Sequence, residues 1–301
     1  MPKVSVVITT YNRSRLLPRA IESAQSAGSD LEVIVVDDCS SDDTPEVCAS
    51  MPAIRYVRLK KNGGLGNARN VGIAESSSEF IAFLDDDDLR LPGSLDKQLQ
   101  AICADDRIAM CYGQALIGDA RRQLPTGEIY PIKCPVGDIF WDLLEDNFIP
   151  MPAVLTRKSH LIAAGSFNTN LKLVEDWDMW LRLSERFLIA AIEEPVAIHR
   201  KAIAESEQLC SNSSELCRHA ALIQQIALDS PRARAAAGTK RRHVKKKFRN
   251  RAYEILMTEA TNLIHEGNTG SARTNILDAF RYRPFRTVAS GRLLWLLGRL
   301  R

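Results

Sequence analysis

Short runs of β-branched apolar residues alternate with helix-forming stretches through the first ninety residues, and this alternation constrains the fold more than any other feature. Val4-Ser-Val-Val-Ile-Thr-Thr10 is apolar at almost every position, as a strand covered on both faces must be. Residues 31–36, 54–59 and 79–84 repeat that pattern, and 16–27, 42–50 and 66–75 read as the helices between them. Strand and helix in alternation predict an α/β fold built on a parallel sheet with right-handed crossovers. Ligands of such sheets bind beyond the carboxyl ends of the strands. The polar clusters of this sequence fall at those ends: Tyr11-Asn-Arg13, Asp37-Asp38 and Asp85-Asp-Asp-Asp88.

The rest of the chain is less regular. Short strands are expected near 109–112 and 151–156, and a helix over 176–185 carries Trp177 and Trp180. From about 205 the reading is helical and basic, with turn signals at Gly267-Asn-Thr-Gly270 and Arg283-Pro284 and a helical hairpin over 252–282. The expected division is a domain over 1–204 and a helical region over 205–301. Charge marks the same division. Residues 201–301 hold 19 Lys and Arg against 8 Asp and Glu, net +11, whereas 1–200 hold 21 against 29, net −8. The densest basic stretch, 240–251, reads first as a solvated helix face and second as a contact with anionic lipid. Nucleic acid ranks last because no nucleic-acid-binding motif accompanies the charge. Leu293-Leu-Trp-Leu-Leu297 is too short to span a bilayer. The seven cysteines form no Cys-x-x-Cys pair, and Met1-Pro-Lys-Val-Ser has no signal-peptide character. The expectation is a cytoplasmic protein, peripheral on the inner face of the membrane.

The acid quartet is the most informative motif. Four adjacent carboxylates after Phe80-Ile-Ala-Phe-Leu84 are electrostatically costly unless a cation compensates them. Asp85 and Asp87, at alternate positions, suit a hard divalent ion whose shell phosphates complete. The plain alternative is a solvated turn capping the next helix. A carboxylate just past the second strand, at Asp38, sits where nucleotide-binding units take base or ribose hydrogen bonds. Ser41 and Asp42 also suit capping of the following helix. In Asn62-Gly-Gly-Leu-Gly-Asn-Ala-Arg69, glycines allow a tight loop and Arg69 emerges at a helix start. The loop lacks Gly-Lys-Ser/Thr and is no P-loop.

Taken in order, these residues resemble the family-2 inverting glycosyltransferases of the GT-A fold. The resemblance rests on residues 6–13, 35–44, 62–72 and 83–88, and on Glu175-Asp-Trp-Asp-Met-Trp-Leu-Arg182, and it covers roughly 3–200. It implies a Rossmann-like, mostly parallel nucleotide-binding sheet, with the basic helices as a C-terminal extension. It implies that Thr9, Tyr11, Arg13, Asp38, Arg69, Asp85 and Asp86 receive the nucleotide sugar, Tyr11 stacking on the base. It implies Asp87, with His199, as ligands of Mn2+ or Mg2+, and Asp176 as general base. The donor would be a UDP-sugar and the acceptor a glycan or lipid-linked hydroxyl. Gln-x-x-Arg-Trp and membrane helices, which mark processive synthases, are missing from the sequence, which points to non-processive transfer. A sugar-nucleotide nucleotidyltransferase and a non-catalytic scaffold remain as alternatives.

Overall fold

A computed structural model describes residues 2–119, 124–200 and 212–284. The alternating half forms β1 (Val4–Thr10), α1 (Leu17–Ser26), β2 (Leu31–Asp37), α2 (Thr44–Ser50), β3 (Ile54–Arg58), α3 (Leu65–Glu75) and β4 (Phe80–Asp85). These four strands are hydrogen-bonded in the order β3-β2-β1-β4, every pair parallel. All seven residues of β1 are buried, which explains why its sequence carries no polar alternation. On one face Val4, Val6 and Ile8 pack with Leu17, Ala20, Ile21 and Ala24 of α1. On the other, α3 approaches so closely that a Cβ on Gly72 would lie 2.2 Å from Val7 Cγ1. Gly72 is therefore required by packing.

The sheet continues through elements that the sequence signals weakly. They are β5 (Leu89–Arg90), α4 (Ser94–Ile102), β6 (Ile108–Gly118), β7 (Pro125–Tyr130), α5 (Phe140–Leu143), a 3₁₀ turn (Met151–Ala153), β8 (Val154–Arg157), α6 (Lys158–Ala163), α7 (Glu175–Arg186) and β9 (Leu188–Arg200). The full order is β3-β2-β1-β4-β8-β6-β9-β5, with β7 paired to β6. β8 runs antiparallel to both β4 and β6, β6 and β9 are parallel, and β5 is antiparallel to β9. The sheet is thus parallel across its first four strands and mixed beyond them. Glu193-Glu194-Pro195 interrupts the apolar pattern of β9, and the β6–β9 register shifts around Gln114, opposite Pro195. Proline cannot donate to the ladder, and the bulge accommodates it.

Past residue 211 the chain is helical: α8 (Ser213–Leu228), α9 (Pro231–Ala235), α10 (Gly238–His265) and α11 (Thr269–Tyr282). The hairpin expected over 252–282 is the α10–α11 pair, while Leu293–Leu297 lies outside the described residues. The chain divides into two compact units, Met1–Leu143 with Asn147–Ile203, and Leu144–Asp146 with Ala204–Arg301. Among the described residues no helix is long and apolar enough to cross a membrane.

Candidate active site

Parallel register brings the strand ends level: Thr10 pairs with Asp37, and Thr9 with Asp85. The loops that follow are tied to one another. Asn12, with φ of 54°, donates its amide to Ser40 Oγ (2.9 Å) and accepts from the Ser41 amide (2.7 Å). Asp42 accepts from Thr44 at the start of α2 and from the Ser14 amide at 2.9 Å, so it serves both the helix and the neighbouring loop. Tyr11, which follows β1, is 46% exposed. Asp37 is buried and structural, accepting from the Ser40 amide and Tyr56 Oη, each at 2.7 Å. Asp38 is also buried, and its two carboxylate oxygens accept from the Gly63 (2.7 Å) and Gly64 (2.8 Å) amides. It clasps the glycine-rich loop to the end of β2. Gly64, at φ of +80°, makes the turn into α3 that this clasp requires.

The acid quartet is neutralised from within. Arg13 Nη1 donates to Asp86 Oδ1 and Asp87 Oδ2, both at 3.0 Å. Arg200 Nη2 reaches Asp87 Oδ2 at 2.6 Å, and the Arg200 amide donates to Asp88 Oδ1 at 2.8 Å. His199 Nδ1 lies 3.0 Å from Asp88 Oδ2. Arg69, 2% exposed, donates Nη2 to Asp85 Oδ1 at 2.9 Å and Nη1 to Glu175 Oε1. Burial opposes its charge, but Asp85 and Glu175 more than offset that. Burial alone would raise Asp85, yet Arg69 holds it below the usual carboxylate range. Burial, with Asp87 alongside, pushes Asp86 up to about 7 against the pull of Arg13. Asp88 draws His199 up to about 9.

Does this donor set fit a divalent cation? Among the described residues no three His, Cys, Asp or Glu side chains converge as a metal cage. The rim offers hard oxygens instead. Asp85 has a side chain 26% exposed, its Oδ1 engaged by Arg69 and Thr9, and Asp87 lies two residues on. One or two protein carboxylates with phosphate and water completing the shell is the arrangement magnesium-like ions use, and these residues fit it.

Asp176 stands in the first turn of α7, behind Val174 in left-handed conformation. Its Oδ1 accepts from the Trp177 amide at 2.6 Å, and Asn147 Nδ2 lies 3.4 Å from its Oδ2. Burial and the neighbouring Glu175 push its carboxyl up to about 6. Through Glu175 and Arg69 the start of α7 is joined to Asp85, so Asp176 and the acid motif share one rim. Asp178, by contrast, is bound by Arg182 at 2.6 Å. The two tryptophans of α7 face inward and are not available to a ligand. Trp177 is buried with Nε1 donating to Leu143 O at 2.8 Å, and Trp180 is wholly buried beside Phe167.

Arg69, read from sequence as a diphosphate contact, has both Nη groups spent on carboxylates. Arg200 and Asn147 carry no signal of their place in the sequence alone. Arg200 follows His199 directly, but only the pairing of β5 with β9, Leu89 opposite Ile198, brings both beside the quartet. Glu175 lies in a short pattern that gives no sign of its partner Arg69, 106 residues away.

Comparison with known proteins bears on the family and the fold. Residues 5–161 match Glycosyl transferase family 2. The chain is 32% identical over 200 residues to an uncharacterized glycosyltransferase of Haemophilus influenzae, covering 64% of this chain and 66% of that one. It is 43% identical over 124 residues, 39% of either chain, to the GalNAc(5)-diNAcBac-PP-undecaprenol beta-1,3-glucosyltransferase of Campylobacter jejuni. It thus spans less than two thirds of both relatives. Among solved structures, Staphylococcus aureus TarS 1-349 in complex with UDP-GlcNAc superimposes with a TM-score of 0.62 at 19% identity, covering 99% of this chain and 88% of that one. A mannosyltransferase from Pyrobaculum calidifontis in complex with GDP-Man and Mn2+ gives 0.58 at 18%, covering 99% and 86%. At such identities the likeness bears on the fold.

Proposed function

This chain belongs to glycosyl transferase family 2 and has the GT-A fold, and we propose that it is a glycosyltransferase that transfers one sugar per encounter, with inversion, from a UDP-sugar to a hydroxyl of a glycan or lipid-linked acceptor. The observation that carries this reading is the bridge from Asp85 through Arg69 to Glu175, the residue before Asp176, and it supports a role for Asp176 beside the acid motif. The Campylobacter relative, which acts on an undecaprenol-linked substrate, and the TarS complexes with UDP and UDP-GlcNAc support the choice of acceptor and donor.

In this reading Tyr11 stacks on the base and the ends of β1 and β2, with Thr9 and Asp38, frame the nucleoside. Asp38 does so while holding the Gly63-Gly64 loop in place. Asp87, with Asp85, would hold Mn2+ or Mg2+, whose chemistry when bound is to offset charge on the departing diphosphate. His199, kept protonated by Asp88, presents a cation to that diphosphate; as neutral imidazole it would be a metal ligand. Arg13 and Arg200 keep Asp86 and Asp87 oriented and supply further positive charge beside the phosphates. Asp176 accepts the acceptor's proton as the hydroxyl attacks the anomeric carbon from the face opposite the nucleotide. A carboxylate raised to about 6 is still ionised at neutral pH and is a stronger base than an ordinary aspartate. The reading keeps the cytoplasmic location expected from the free thiols.

A screen of nucleotide sugars by UDP release, followed by mass measurement of the product, tests the reaction. Release with no acceptor-dependent product removes transfer, and silence with every donor favours a scaffold. A melting scan tests the site separately. UDP with Mn2+ at a hundredfold excess over Kd should stabilise the fold by about 2.7 kcal/mol, and Asp87→Asn should lose most of that gain. Full retention of the metal-dependent rise by Asp87→Asn would clear Asp87 of the role.

A further inference from the structure

In the C-terminal unit, α8 and α10 run antiparallel. Gln225 meets Lys245, whose Nζ donates to Gln225 Oε1 at 3.2 Å, and Leu228 O accepts from Arg241 Nη2 at 3.2 Å. As the number rises on one helix it falls on the other. The buried stripe of α10 includes Val244, Phe248 and Ala252, and that of α8 includes Cys217, Gln224 and Leu228.

The charges of α10 sort into two stripes. His243, Lys247 and Arg251, four residues apart, face Glu145 and Asp146, at 3.4, 3.4 and 3.3 Å. Arg242, Lys246 and Arg249 form the other stripe. They are exposed and have no acidic partner among the described residues. At about 100° per residue they lie roughly 40–100° around the helix from Lys245, the point of contact with α8. On α8, Leu222 and Ile226 lie at about 60° and 100° from Gln225 in the same sense. Right-handed helices packed antiparallel turn in opposite senses when seen from one side, so both sectors open to the same side of the pair. Leu222 is 52% exposed and Ile226 is 50% exposed. One face therefore combines two bare aliphatic side chains with three uncompensated cations. Asp229, which also lies on this side, is engaged by Gln225 at 2.9 Å and approached by Arg234 at 3.9 Å.

We propose that this face of the α8–α10 pair docks the protein on an anionic phospholipid surface. Guanidinium and ammonium groups meet lipid phosphates while Leu222 and Ile226 enter the boundary between headgroups and acyl chains. Nucleic acid would satisfy the cations but gives the exposed aliphatics nothing to bury against. An ordinary solvated face would carry its charges without an aliphatic pair beside them. The inference stands on the helical pair and not on the proposed reaction, although a lipid-linked acceptor would lie on such a surface.

Flotation of the full chain with vesicles of phosphatidylcholine and 30% phosphatidylglycerol, against phosphatidylcholine alone, tests it. Binding should require the anionic lipid and fall as salt rises from 50 to 500 mM. The triple variant Arg242→Gln, Lys246→Gln, Arg249→Gln should lose about a hundredfold in partitioning, each charge contributing on the order of fivefold. Leu222→Ser with Ile226→Ser should weaken binding while leaving its salt dependence in place. Lys60→Gln, Lys61→Gln, Lys133→Gln removes the same charge elsewhere and should bind as the parent does. Melting temperatures of all variants confirm that they fold. The proposal is overturned by equal binding to neutral vesicles, by no binding to either, or by an equal loss in the control triple. Competition by a short RNA, indifferent to Leu222 and Ile226, would assign the cations to nucleic acid instead.

Discussion

The acid rim of the N-terminal unit and the basic face of the C-terminal unit are both dense in charge, and they treat it in opposite ways. At the rim, Asp86, Asp87 and Asp88 are buried, and each carboxylate of the quartet meets a cation or a donor of the protein itself. On α10, one stripe of cations is paired with Glu145 and Asp146, and the other stands in water with no acidic partner among the described residues. The difference follows from burial. A buried charge without a partner costs several kcal/mol, so the rim had to be assembled with its counterions. An exposed charge costs little and stays available to a partner from outside.

The comparison breaks or sharpens according to how substitutions in the two regions differ. The largest effect is expected at the bridge. Arg69→Met leaves Glu175 buried and Asp85 half-buried without the cation they share and should destabilise the protein by about 3–5 kcal/mol, read from the urea midpoint. A loss under about 1 kcal/mol would mean the rim tolerates bare carboxylates, and the contrast with α10 would fail.

Next comes Asp176→Asn. Asparagine caps a helix as well as aspartate does, so stability and UDP binding should hold while turnover drops by about a hundredfold or more. Turnover within about threefold of the parent would take Asp176 out of the mechanism. A smaller, graded effect concerns pH. Because Asp176 titrates at about 6 and must be ionised to accept a proton, kcat/KM should fall as pH drops through that value. Glu175→Gln removes the neighbouring negative charge, so the acid limb should move toward the ordinary aspartate range. An unmoved limb would assign it to another group. The smallest effect belongs to the other region: Arg249→Gln should change stability by no more than about 0.5 kcal/mol at any salt concentration. A loss comparable to that of Arg69→Met would show that the exposed stripe supports the fold.

The alternation up to β4 was readable because each element carries its own period and its neighbours follow at once in sequence. The polar clusters at strand ends were readable for the same reason: direction along a parallel strand places them at one rim. The second half of the sheet was not. β6 and β9 are separated by most of the middle third, and Glu193-Glu194-Pro195 conceals the second of them. Trp177 and Trp180 share a helical face in sequence, but only the packing of α7 reveals that this face is turned inward.

The amino-acid sequence by itself determined that the chain is an α/β protein with an acidic half and a basic helical half, and it determined which strand ends bear the polar clusters. Those are properties of local period and of composition. Tertiary structure alone decided how the acids are compensated. Coulombic energy depends on distance in space, and two of the arginines that meet the quartet come from far along the chain, Arg200 lying 112 residues from Asp88 and Arg13 lying 73 from Asp86. Tertiary structure also decided which cations of α10 are paired, because that depends on which side of the helix meets Glu145 and Asp146.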